Sequence, residues 1–196
     1  MKKLIAKFSA MRIAFWMTFS FSRVLNWLIN LTGKYSLTIS PAKSEDEAVR
    51  RLSALTWSPD IVEILGKEVK HGWMHTAKWV QVKLDAKEEL QTDCDEFSLY
   101  ALALLEGVSH ISQPRLMTLR WIDTDGKTAG HNTCLFSYFD SRTGYLKFGT
   151  LCNWGLKKGY RNPKEAVMYF INAKKGDFLA FTISTSALKI LRHVKA

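Results

Sequence analysis

The apolar residues of this chain pass from helical to strand period at Pro114, and that change sets the class of fold. From Asp93 to Gly107, the residues Phe97, Tyr100, Ala101, Leu104 and Leu105 recur at helical spacing, as one buried helix face requires. After Pro114 the pattern becomes that of strands. Arg115 to Asp123 reads as one strand, followed by a turn at Asp123-Thr124-Asp125-Gly126. His131 to Asp140 reads as a second, with a turn at Ser141-Arg142-Thr143-Gly144, and Tyr145 to about Cys152 as a third. Asn162-Pro163 opens a helix to about Ala173; Lys174-Lys175-Gly176-Asp177 then turns into a strand over Phe178 to Ser184, and a short closing helix is expected. Upstream, Ser44-Glu45-Asp46-Glu47 has the form of a capping box for a helix from 45 to about 54. Ser58-Pro59 repeats the start signal, predicting a helix over 59 to 66 that stops at Gly66. Helices followed by an antiparallel meander make an α+β arrangement.

The chain divides unevenly by charge. Residues 1–44 hold seven Lys or Arg and no acid, and Glu45 is the first carboxylate. Within them Ile13 to Phe21 is apolar apart from Thr18 and Ser20, and Val24 to Leu31 resumes the trend. Both runs fall short of the roughly 20 apolar residues of a spanning helix, and Arg23 separates them. Three readings fit residues 1–34: a signal peptide ending near Ser20-Phe21-Ser22, a basic helix lying on a membrane, or a helix packed on the domain. The domain proper is expected over residues 44–196, a length that supports one core. The net charge of +10 and pI near 9.6 suit anionic partners. No nucleic-acid-binding signature accompanies that charge, so a nucleic-acid partner is not expected. No phosphate loop is present, and His71 and His75, four apart, have no Glu directly after His71 and no third ligand nearby. Neither cofactor nor metal is expected.

Three cysteines, Cys94, Cys134 and Cys152, form no disulfide framework and no C-x-x-C pair. At least one thiol is free, which suits a reducing compartment or a catalytic role. A cytoplasmic or membrane-associated location is favoured, with secretion if residues 1–22 are a signal. Cys134 and Cys152 fall in the predicted hairpin and are expected in the core. Cys94 is different, because Thr92-Asp93-Cys94-Asp95-Glu96-Phe97 stands where a helix begins. Unpaired backbone N–H groups and the helix dipole there stabilise a thiolate and can receive an oxyanion. Asp93, Asp95 and Glu96 oppose this by adding negative charge.

A thiol nucleophile needs a base, and His131, following Gly130 at a strand start, is the best placed of five histidines. A hairpin centred between Arg142 and Thr143 sets His131 opposite Trp154, and a one-residue bulge sets it opposite Asn153. Asp140 lies nine residues along the same strand, about 30 Å away, which leaves Asn153 as the candidate to orient the imidazole.

Asp93-Cys94-Asp95-Glu96-Phe97 before an apolar helix, with Gly130-His131 opening a strand, resembles the transglutaminase-like cysteine peptidase superfamily of papain-like fold. The resemblance covers roughly residues 57–155. It implies a helical first half that carries the nucleophile at a helix start and packs on an antiparallel β-meander, with Cys94 as nucleophile and His131 as base. Where that superfamily usually carries an Asp on the return strand, this chain reads Lys147-Phe148-Gly149-Thr150. Asn153-Trp154-Gly155 resembles instead the Asn that papain-like enzymes place before Trp-Gly. The expected function is a thiol-dependent amide hydrolase or acyl transferase working through a thioester on Cys94, with a peptide, protein or peptidoglycan substrate; a peptidoglycan endopeptidase is one form of it. The rival reading is a catalytically inactive module that binds a membrane or a protein partner.

Overall fold

The computed structural model describes residues 39–196 except 59–60, 65–66, 71–76, 89 and 186–188. The expectations for residues 1–34, for a stop at Gly66 and for the His71/His75 pair lie outside the described residues.

The architecture is α+β: a six-stranded antiparallel sheet with four helices among the described residues. Helix α1 (Glu45–Leu52) starts as the capping pattern predicts, with Ser44 Oγ accepting the Glu47 N–H at 3.2 Å. The Glu47 carboxylate reaches back one residue further than the ideal box, to the N–H of Lys43. The expected helix over 59 to 66 is not formed. Strand β2 (Ile61–Ile64) pairs antiparallel with β3 (Lys67–Lys70) in its place. Ile61, Val62 and Ile64 are β-branched and lose side-chain freedom in a helix, which outweighs the start signal at Ser58-Pro59. Strand β1 (Thr56–Trp57) lies parallel to β4 (Gln91–Thr92), and α2 (Ala77–Asp85) falls in a stretch whose pattern is mixed. Helix α3 runs over Cys94–Leu105.

The main sheet has the order β10-β9-β5-β6-β7-β8. Its meander is β5 (Ile111–Ile122), β6 (Thr128–Asp140), β7 (Tyr145–Cys152) and β8 (Gly155–Tyr160). Strand β8 is one more than the sequence suggests. Helix α4 (Pro163–Lys174) follows, and β9 (Asp177–Ser184) returns beside β5. The expected closing helix is instead strand β10 (Ile190–Lys195), paired antiparallel with β9. Ile190 and Val194 suit an extended edge, and Arg192 and Lys195 give that edge the charge that discourages further pairing.

Both faces of the sheet are covered, so each strand sorts its residues by parity. Leu116, Cys134, Phe136, Tyr138 and Leu151 pack against Phe97, Ala101 and Leu104 of α3, with α1 and α2 outside that helix. Met117, Leu119, Leu135 and Cys152 pack against Ala166, Val167, Phe170 and Ile171 of α4. The end of α3 is pinned close: the Ala42 N–H donates to Leu104 O at 2.9 Å, and a Cβ on Gly107 would stand 2.4 Å from Pro41 Cβ. Among the described residues no helix is long and apolar enough to cross a membrane.

Candidate functional site

The approach to Cys94 is fixed by the small parallel pair β1–β4. Ser58 N–H donates to Thr92 O at 2.9 Å and Thr92 Oγ1 to Thr56 O at 3.3 Å, so the chain is held immediately before the helix. Asp93 is the N-cap: its Oδ1 accepts the Asp95 N–H at 2.7 Å, and Glu96 Oε2 accepts the Asp93 N–H at 3.1 Å. A reciprocal cap of this kind satisfies two of the four orphan donors of a helix start. Cys94 is therefore the first helical residue, as the sequence predicts, and it is partly buried.

The electrostatics of the sulfur run against a thiolate. Burial pushes the Cys94 thiol well above its ordinary value, and the nearby carboxylates of Asp95 and Asp93 push it further. One backbone donor, the Asn132 N–H, favours the charged form but does not outweigh them. The sulfur lies 3.5 Å from Asp95 Oδ1. Asp93 is itself raised to about 9, first by burial and then by its contact with Glu96 and the charge of Asp95. Burial also raises Asp95, although a hydrogen bond from Asn132 Nδ2 offsets part of this.

His131 is on the other face of the sheet. It shares the parity of Leu135, which packs toward α4, whereas Cys134 and Phe136 face α3. The side chain that β6 presents to the start of α3 is that of Asn132, the next residue along. His131 Nε2 instead lies 3.3 Å from Cys152 Sγ, and the ring sits between Trp154 at 5.3 Å and Phe170 at 5.1 Å between centroids. Burial, with the charge of Lys174 adding to it, holds the imidazole down at about 4, so it is neutral at pH 7. Burial likewise raises the Cys152 thiol. The two form a neutral pair inside a core, with no thiolate–imidazolium couple.

The register of β6 on β7 is that of a turn centred between Arg142 and Thr143, with Asp140 opposite Tyr145 and Cys134 opposite Leu151. It brings Trp154, rather than Asn153, to the imidazole. Asn153 occupies the short turn between Cys152 and Gly155, which pair across β7 and β8. Its Oδ1 is buried without a hydrogen-bond partner, and the described hydrogen bonds include none from its side chain to His131. The structure thus joins neither Cys94 to His131 nor Asn153 to the ring. It brings together two pairs that the sequence reading did not join, Cys94 with Asn132 and His131 with Cys152. The signal for both lay in strand parity and register, since a residue and its neighbour point to opposite faces.

No family model, curated protein or solved structure matches the chain.

Proposed function

We propose that this domain is a binding module for an anionic surface rather than a working thiol enzyme. The observation that carries this is the placement of Cys94 and His131 on opposite faces of the sheet. Rotation of a side chain can shorten a loose catalytic hydrogen bond, but it cannot take an imidazole through a β-sheet. The scaffold of the transglutaminase-like superfamily is part of the proposal, supported by the helix-start cysteine and the antiparallel meander behind it. The absence of an acid at Lys147 to Thr150 supports a member that has left catalysis.

Charge and exposed apolar groups support the choice of surface. Residues 1–44 hold seven of the 28 Lys and Arg and none of the 18 acids, which leaves residues 45–196 with 21 bases against 18 acids. Most of the net charge therefore belongs to the segment that also carries the apolar runs. On the described domain, the β6–β7 hairpin ends in Phe139, Tyr145 and Leu146, exposed by 65%, 71% and 56%, beside Arg142 and Lys147. Aromatic and aliphatic groups flanked by bases suit the boundary between headgroups and acyl chains, where each base contributes about 1 kcal/mol on an anionic leaflet.

Co-sedimentation with phosphatidylglycerol vesicles, against phosphatidylcholine vesicles, tests the reading. Binding to the anionic vesicles alone, weakened by salt and by Phe139→Ser with Leu146→Ser, is the expected result. Equal behaviour toward both lipids would overturn it.

One observation favours the thiol enzyme as a second reading: Cys94 opens α3 and is only partly buried. Amide hydrolysis or acyl transfer would return if iodoacetamide labelled Cys94 fast below pH 7 and His131→Ala abolished that labelling.

A further inference from the structure

The cluster at the start of α3 contains more donors than its cap uses. One ligand atom each from Asp93, Cys94 and Asp95 lie within 4.8 Å of one another. Among the described residues, no ion pair joins Asp93 or Asp95 to a base. An acidic helix start of this kind is by itself ordinary. What sets this one apart comes from a different element, β6. Asn132 is only 8% exposed, and its carboxamide reaches the cluster, with Nδ2 donating to Asp95 Oδ1. Its Oδ1, bonded to the same carbon, is buried and has no hydrogen-bond partner. A buried carbonyl oxygen left unpaired is destabilising unless some group meets its lone pairs. Beside Asp95, a cation would meet that oxygen and offset the carboxylate charge of the cluster at the same time.

We propose that Asp93, Cys94, Asp95 and Asn132 Oδ1 form a binding site for a divalent metal ion of the zinc class. The donor set selects the class. One sulfur with three oxygens suits Zn2+ and Co2+, whereas Mg2+ and Ca2+ take oxygen ligands alone. On binding, the metal–sulfur bond forms as the Cys94 S–H bond breaks, the Asp93 carboxyl gives up its proton as its oxygen meets the ion, and both protons leave to solvent, with no change of oxidation state. The ion neutralises the paired carboxylates and fixes α3 to β6 at the point where helix and sheet meet. The site goes beyond the docking proposal and does not depend on it.

The test is a CoCl2 titration of the full chain, freed of metal with a chelator and dialysed. One cobalt per chain, with thiolate-to-cobalt charge-transfer absorption that Zn2+ displaces, is expected. Asn132→Ala should weaken Co2+ affinity about tenfold or more, and Cys94→Ser should remove the charge-transfer band. On the unsubstituted chain, Zn2+ should protect Cys94 from iodoacetamide, which decides the matter even where a variant fails to fold. Cobalt binding without thiolate absorption, a band retained in Cys94→Ser, or Cys94 alkylated equally with and without Zn2+ would each overturn the proposal.

Discussion

His131 Nε2 lies 3.3 Å from Cys152 Sγ, on the face of the sheet away from Cys94. The pairing follows from register. Strand β6 meets β7 with Asp140 opposite Tyr145, so the last residues of the return strand arrive at the imidazole. Trp154 N–H donates to the same sulfur at 3.4 Å, and Phe170 of α4 closes over the ring. A histidine so enclosed contributes to stability as a neutral ring packed between aromatic side chains. Its chemistry is then visible mainly in how the fold responds to acid.

That response has a definite sign. His131 titrates at about 4 in the folded chain, against an ordinary value of 6.5, because burial disfavours its charge. As pH falls, the unfolded chain therefore takes up the proton first. The contribution is fully present above about 6.5 and is lost as pH falls toward 4, by about 3 kcal/mol in all. Asp93 acts in the opposite sense, since its folded pKa is raised to about 9 and acid favours its folded form. Comparison with His131→Met isolates the ring, because both proteins keep Asp93. Urea unfolding at pH 7 and pH 4.5 should show the parent losing more stability than the variant. Equal losses would assign the acid sensitivity elsewhere.

Much of this fold is legible in the sequence, and the misses have physical causes. Strands β5, β6, β7 and β9 announce themselves through Gly and Asp turns and alternating apolar residues, and α1, α3 and α4 through Ser44, Asp93 and Asn162 at their caps. Cys94 is where its motif places it. The partner for Cys94 was not legible: the sequence has His131 opening a strand, whereas β6 already begins at Thr128, and neither position tells which face of the strand the helix covers. Only tertiary packing, with Cys134 and Phe136 turned to α3, settles that parity. The hairpin β2–β3 and strand β10 were hidden for a different reason. Their cap and charge patterns fit a helix as well as a strand, and pairing with a neighbour decides between them.

The Cys94 thiol should become more reactive when Asp95 loses its charge. Burial is the larger cause of the raised thiol, and Asp95 is the next. Asp95→Asn leaves the burial in place, removes the repulsion, and keeps an oxygen for Asn132 Nδ2 to donate to. Iodoacetamide labelling of Cys94 at pH 8, in chelator, should accelerate several-fold, while Cys134, fully buried, stays unlabelled. An unchanged rate would show that the neighbouring carboxylate has no hold on the sulfur.

Gly149 leaves space for a ring. A Cβ there would stand 2.4 Å from Phe136 Cζ and 3.0 Å from Lys157 O, so the strand pair β6–β7 closes only because the position has no side chain. Gly149→Ala should cost about 1–3 kcal/mol by overpacking. Phe136→Leu removes the atoms in conflict, so the double variant should be more stable than the sum of the two losses implies. Urea midpoints of the four proteins provide the cycle, and strict additivity would show that the ring is not what Gly149 accommodates.

Helix α4 forms the roof over His131 and Cys152, and its cap controls how often that roof opens. Asn162 Oδ1 accepts the Glu165 N–H at 3.1 Å, with Pro163 at the first helical position. Loss of such a cap costs about 1 kcal/mol, while Asn162→Asp retains the acceptor. Cys152 is 1% exposed, so reagent reaches it only when α4 moves away or the chain unfolds. A loss of about 1 kcal/mol corresponds to roughly a fivefold larger open population, and labelling that follows this population should accelerate by the same factor. Asn162→Ala is thus expected to speed Cys152 alkylation about fivefold, and Asn162→Asp to leave it near the parent rate. If both variants matched the parent, opening at Cys152 would belong to the sheet edge at β8 instead of to α4.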